Sequence, residues 1–459
     1  MTAATPQTLV EHALTASKSE QCIVAVQDST SANLRWANNT LTTNGVMHEV
    51  GVTVIAFHGS GNASVSGTAA SPEQVEALVE QADTAARVAQ AAEDVAELVP
   101  GAVASDWADT PVDTSIDVYR DFARALGKEF LRAEGEGRIL YGFVNHEMTT
   151  TYLGSSTGLR LRYVQPTGHY GCTGKTADLS NSAWVGGATR DFTDVSAHTI
   201  ADDVATRLSW GSRRIDLPPG RYDTVLPPTA MADLMIDAYW NAGARVAHEG
   251  QSVYSRPGGG TRIGDTLVDE AVTLYSDPAY AGLECAPFVI TSASSNESSV
   301  YDNGLSIGRT PWIAGGALSS LIQTRHTARI TGQPTTPGVD NLVLDIEGGA
   351  GTDLDLVAGI DDGLLLTCLW YIREVDPQNL LLTGLTRDGV YRVEGGEITG
   401  AVNNFRFNES PIDLLRRFTA AGTTVPSFSR EWGDDYFSRT ATPALRVPDF
   451  NMSSVSQAL

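Results

Sequence analysis

Pro218-Pro219-Gly220-Arg221-Tyr222-Asp223-Thr224-Val225-Leu226 is the stretch that decides the fold. Two prolines and a glycine close whatever precedes them, because proline donates no backbone N–H and glycine tolerates the turn. The run 222–226 then reads as a strand, and 230–240 reads as a helix directly behind it. From residue 261 onward the chain is short β-rich runs punctuated by turns such as Asp302-Asn303-Gly304 and Arg387-Asp388-Gly389. A large β-dominated unit is therefore expected over 220–459.

Upstream, the pattern alternates between helix and strand. Residues 22–26 and 51–57 are β-rich, with Asn44-Gly45 expected to turn between them. Ser71, Pro72 and Gln74 read as N-cap, first helical position and capping-box partner of a helix. Its apolar face is Val75, Leu78, Val79, Ala82, Ala86 and Val88. Pro100 and the small, polar residues up to Asp113 read as a linker. A second helix follows, capped by Thr114 or Ser115, with Tyr119, Phe122, Leu126 and Phe130 on one face. A strand is expected over 139–144, then a hairpin of 149–153 with 159–164 that turns at Ser155-Ser156-Thr157-Gly158. A helix over 196–208 closes this part. The expected class is α+β: an N-terminal unit (1–105), a central unit (114–217) and the larger β-dominated unit (220–459).

The formal net charge of −24 argues against nucleic-acid binding, which rests on Lys and Arg displacing counterions from phosphates. No run of eighteen apolar residues suggests a membrane span. The N-terminus lacks the basic and apolar regions of a secretion signal, so a cytoplasmic location is expected. Cys22, Cys172, Cys285 and Cys368 stand far apart, which suits buried reduced thiols better than a disulfide framework or zinc ribbon.

No catalytic set emerges from spacing. A zincin helix needs a second imidazole about one turn after its His-Glu pair. Thr150 and Thr151 follow His146-Glu147 at that distance, and Ser252 and Val253 follow His248-Glu249. In Gly168-His169-Tyr170-Gly171-Cys172 a His lies near a Cys, but catalytic pairs meet through the fold, not through sequence proximity. Gly258-Gly259-Gly260 lacks the Lys-Ser/Thr of a phosphate loop. Asp353/Asp355 and Asp361/Asp362 lack the glycine and terminal glutamate of a calcium loop, so a solvated acidic face is expected.

Four groups of residues carry a resemblance. Ser31-Ala32-Asn33-Leu34-Arg35-Trp36-Ala37-Asn38-Asn39 with Gly51-Val52-Thr53-Val54 form the first, and Pro219 to Pro228 the second. Val339-Asp340-Asn341-Leu342-Val343-Leu344 is the third. Leu382 to Arg387 followed by Gly395-Gly396-Glu397-Ile398 is the fourth. In order and spacing they resemble the TldD/TldE (PmbA) metallopeptidase family over nearly the whole chain.

The resemblance implies a heteromeric enzyme in which a TldD-type subunit carries an HExxxH helix and a distant cysteine that bind zinc, while a TldE/PmbA-like subunit lacks them. No HExxxH occurs in this sequence, and no cysteine follows Cys368, which leaves the segment from Arg430 to Ser438 without a late ligand. The expectation is a TldE-like chain with no catalytic, cofactor-binding or metal residues of its own. Zinc is expected in a TldD-type partner, in a heterodimer or higher assembly, with unstructured peptides as substrates and leader or pro-peptide trimming as the activity. The alternatives are an autonomous hydrolase using His248, Glu249 and His146 or His326, and a peptide-binding scaffold.

Overall fold

The computed structural model describes residues 4–387, 389–433 and 439–456. Its first layer is a six-stranded antiparallel sheet with helices on one face. Helix α1 (Pro6–Ala16) precedes the long hairpin β1 (Gln21–Ala37) and β2 (Thr40–His58), then β3 (Gly61–Thr68) and α2 (Pro72–Val88). After the loop region come α3 (Arg120–Gly135), β4 (Arg138–Ser155), β5 (Arg160–Thr176), β6 (Ser182–Thr189) and α4 (Ala197–Trp210). The strand order is β3-β2-β1-β4-β5-β6.

Strand alternation explains the layering, since every second side chain shares a face. Cys22, Val24 and Val26 pack with α1 and α2, while Ala32, Leu34 and Trp36 further along the same face of β1 pack with α3 and α4. The opposite face meets the C-terminal part through Ile23, Ile55, Phe57, Leu153, Phe288, Val300 and Tyr301.

Several expectations hold. Ser71 caps α2 by accepting from the Gln74 amide at 3.4 Å. Ser196 caps α4, and Ser115, not Thr114, caps the single 3-10 turn that leads into α3. Others need correction. Asn44-Gly45 is not the hairpin turn but lies inside β2; the turn is Asn38-Asn39, both left-handed at φ 49° and 56°. Asparagine tolerates that conformation, so two residues suffice. The runs 139–144 and 149–153 belong to one strand, β4, since the polar residues between them pair on both sides in this broad sheet. β6 was not anticipated. Gln74 reaches the Ala70 amide, one residue before the expected partner, and Val88 is 83% exposed at the end of α2. Asp302 and Asn303 are buried, so that stretch is no surface turn. Asp388, at the centre of another expected turn, lies outside the described residues.

The short strand β7 (Arg214–Ile215) leads to β8 (Gly220–Leu226) and α5 (Pro228–Trp240). Strand β8 is an inner member of a ten-stranded sheet, between the strands Asp362–Leu366 and Leu445–Val455. A further six-stranded sheet includes Val272–Ser276 and Leu342–Ile346. Helix α5 is buried on all sides from Ala230 to Tyr239, within the core shared by these two sheets. The C-terminal part is thus β-rich around one central helix, and the α+β class holds.

Close packing at a β4–β5 pair yields a test. A Cβ on Gly142 would lie 2.2 Å from the Gly171 carbonyl oxygen and 2.5 Å from the Trp36 ring. Gly142→Ala is expected to cost about 1–3 kcal/mol, the usual range for overpacking. Gly127, exposed in α3 with nothing near its missing Cβ, should gain roughly 0.5–1 kcal/mol as alanine. Urea denaturation of both variants checks the pair.

Candidate functional site

Helix α5 carries two acids, Asp233 and Asp237, four residues apart and therefore on one face. Asp233 is 1% exposed and Asp237 6%. The loop after the strand Val425–Ser427 supplies their partners. Asp233 Oδ1 accepts from the Ser429 hydroxyl at 2.6 Å and the Glu431 amide at 3.0 Å. Asp237 Oδ2 accepts from Trp432 Nε1 at 3.2 Å, and the Trp432 and Trp240 rings meet at 4.8 Å. Ser429 Oγ in turn accepts from the Trp432 amide at 2.9 Å.

Glu431, from the same loop, turns to the strand Leu369–Asp376. Its Oε1 accepts the Ile372 amide at 3.1 Å and lies 3.6 Å from Arg373. Tyr371, just before, has a φ of 51°, an uncommon conformation for an aromatic residue. Beside it the Arg430 guanidinium lies between the rings of Trp184 (4.8 Å) and Trp370 (4.6 Å) and contacts Cys368 Sγ. Trp184 comes from β6, so this cation–π sandwich also ties the first sheet to the C-terminal part.

Burial dominates the electrostatics. Loss of water raises Asp233 to about 8, opposed by Ser429 and the Glu431 amide. Asp237 rises to about 7 for the same reason, opposed by Trp432. Glu431 is also raised by burial, against the Tyr371 and Ile372 amides and Arg373. Asp233 thus holds its proton at neutral pH. A protonated acid sealed by protein donors neither binds a cation nor takes a proton from water. The site is a lock between loop, helix and strand. Its donor set does not fit zinc, and among the described residues no three His, Cys, Asp or Glu side chains are grouped to hold a metal.

The residues singled out by sequence are scattered. His146 lies in β4, not in a helix, between the Thr114 hydroxyl (2.6 Å) and the Arg190 carbonyl (2.9 Å). Glu147 accepts from Thr149. His248 ends the short helix Ala244–His248, and Glu249 pairs with Arg245 at 3.2 Å. His326 lies in the helix Arg325–Thr331 and lines an open cleft together with Arg245 and Asn296. A third His-Glu pair, His48-Glu49, escapes the sequence reading; it lies in β2 with Thr53 at the fifth position.

His169 and Cys172 lie in β5 at positions of opposite parity; His169 stacks on Phe428 at 5.7 Å while Cys172 enters the helix-covered core. All four cysteines are buried and free of disulfides. Gly258, Gly259 and Gly260 all have positive φ in a loop. Asp353 and Asp355 open a short helix, where Asp355 completes a capping box with Thr352, and Asp362 pairs with Arg392. Of the segment from Arg430 to Ser438, residues 434–438 lie outside the described residues.

A model of the PmbA/TldA metallopeptidase C-terminal domain matches residues 219–454, and one of PmbA/TldA metallopeptidase domain 1 matches residues 22–89. No curated protein sequence matches the chain. Among solved structures the fold is similar to that of TldE from Thermococcus kodakarensis. The TM-score is 0.75 at 15% identity, covering 97% of this chain and 99% of that one. It is similar also to a proposed modulator of DNA gyrase from Bacteroides thetaiotaomicron, with TM-score 0.77, 15% identity and 98% of each chain covered. A third similar fold, also a proposed gyrase modulator, comes from Thermotoga maritima. There the TM-score is 0.74 at 16% identity, covering 94% of this chain and 95% of that one.

Proposed function

The chain belongs to the PmbA/TldD family of metallopeptidases, and on that premise we propose that it is the non-catalytic subunit of a heteromeric, TldD/TldE-type zinc peptidase acting on unstructured peptides. The observation that carries this reading is the makeup of α5. The central helix of the C-terminal core bears two acids at one-turn spacing, Asp233 and Asp237, closed off by Ser429, Glu431 and Trp432. The sequence contains no HExxxH. Imidazoles at that spacing make a metal helix; carboxyls sealed by protein donors make a packing element. Zinc and the water it activates then belong to a TldD-type partner, and this chain shapes the shared chamber. The net charge of −24 argues against direct contact with DNA. No helix among the described residues is long and apolar enough to cross a membrane.

Two measurements test the proposal. Desalted, isolated chain should contain well under one zinc per molecule; a tightly held equivalent would point to an autonomous hydrolase. Mixed with a TldD-type chain from the same genome, it should elute in a joint peak whose peptidase activity exceeds that of either chain alone. Separate peaks with no gain in activity would sink the heteromeric reading.

A further inference from the structure

Three neighbouring polar side chains on the open face of the first sheet stand without protein partners. Ala32, Leu34 and Trp36 of β1 pack under α3 and α4, so Asn33 and Arg35 project from the other face. Asn33 lies across from Asn145 of β4, and Arg35 across from Phe143. With Thr42 and His169 these side chains line one open groove. Among the described residues no group hydrogen-bonds the Asn33 amide, the Asn145 amide or the Arg35 guanidinium, and no acid pairs with Arg35. Their counterparts elsewhere in this sheet are tied down. Asn39 donates to the Arg138 carbonyl at 2.9 Å, while Arg160 and Arg162 pair with Glu11 and Asp106 at 2.6 and 3.1 Å. The chain holds 55 acids against 31 Lys and Arg, yet Arg35 is left open. Glu147, on the same face of β4, stands about 13 Å along the strand from Phe143 and accepts from Thr149.

We propose that this groove holds an extended peptide by an internal acidic side chain, with Arg35 taking the carboxylate and Asn33 and Asn145 bonding the peptide main chain. The inference deepens the peptide-substrate reading above and rests on it. A guanidinium matches a carboxylate in two parallel hydrogen bonds. A side-chain amide offers the donor and the acceptor that a main-chain peptide unit needs. Asn33 is two residues from Arg35, about 6.7 Å along β1, the spacing of alternate residues in an extended chain. Glycine keeps the floor low: a Cβ on Gly45, across from Asn33, would lie 4.0 Å from Asn33 Nδ2. Phe143 meets His169 edge-on at 5.4 Å and His169 stacks on Phe428 at 5.7 Å, which gives the groove an aromatic wall. Past Arg35 the groove continues to Thr42, so the bound chain runs on in both directions. That suits an internal acid and not a chain terminus. The net charge of −24 opposes an acidic peptide only weakly here, because charges beyond about 8 Å are screened at physiological salt.

The test uses the isolated full chain, so its outcome is separate from whether a TldD-type partner joins it. The probe is a short Gly/Ser peptide, acetylated and amidated, with one central glutamate, titrated by peptide-observed NMR. A second peptide carries glutamine instead, and a third carries glutamine with a free C-terminal carboxylate. The parent should bind the glutamate peptide about tenfold more tightly than either other, the usual scale for a hydrogen-bonded charge. Arg35→Gln should remove that preference. Arg124→Gln, which takes the same charge from the exposed surface of α3, should leave it intact. Asn145→Ala should weaken the glutamate and the amidated glutamine peptide alike, about fivefold, with folding of every variant verified by circular dichroism. Equal binding of glutamate and glutamine peptides by the parent overturns the proposal. So does a preference that survives Arg35→Gln, a loss matched by Arg124→Gln, or tighter binding of the free-terminus peptide than of the glutamate peptide.

Discussion

Asp233→Ala is expected to lower the unfolding free energy by about 2–4 kcal/mol, since it leaves a cavity and strips buried donors of their acceptor. The Ser429 hydroxyl and the Glu431 amide both lose their partner. Asparagine keeps the shape and an acceptor oxygen, so the double variant Asp233→Asn/Asp237→Asn separates packing from ionisation. The folded-state values of about 8 and about 7 lie above the ordinary 3.8. Below 3.8 both states are protonated and the stabilising contribution is complete. Between 3.8 and the folded values the unfolded chain has ionised while the native acids have not, so this contribution shrinks as pH rises and is gone above about 8. Each unit of separation corresponds to about 1.4 kcal/mol. The parent should therefore lose several kcal/mol relative to the double asparagine variant between about pH 5 and pH 8. Parallel denaturation curves with no change in their separation would show that the acids are not held protonated.

Much of this fold is legible in sequence where local chemistry decides. Caps at Ser71 and Ser115 and the buried helix faces of α2 and α3 rest on neighbours within a few residues. Legibility fails where partners come from far along the chain. The β1–β2 hairpin runs through Asn44-Gly45 because β1 continues to pair beside it. β4 stays extended through its polar middle because β1 and β5 flank it. The site was harder still. Asp233 and Asp237 do leave a signal: two acids one turn apart in a helix that offers no polar face. What that signal lacks is the loop nearly two hundred residues later that seals them, and neither that distance nor the Trp184–Arg430–Trp370 sandwich has a sequence signature.

The largest effect is expected from substitutions in the two chains of a reconstituted complex. If His248 and Glu249 were a metal ligand and its general base, alanine at both would remove nearly all hydrolysis, since losing a general base alone costs about 10²–10⁴-fold. On the proposed function they do other work. His248 closes a five-residue helix, Glu249 pairs with Arg245 on the surface, and the position a second imidazole would need carries Ser252 or Val253. Surface ion pairs of this sort contribute little to stability, so the double variant should fold normally. Its complex should keep peptidase activity within a few-fold of the parent on one unstructured peptide. Alanine for the first His of a TldD-type partner's HExxxH should abolish that activity in the same assay. The contrast assigns chemistry to one chain and architecture to the other. A collapse of activity in His248→Ala/Glu249→Ala, with circular dichroism and co-elution unchanged, would overturn the division of labour.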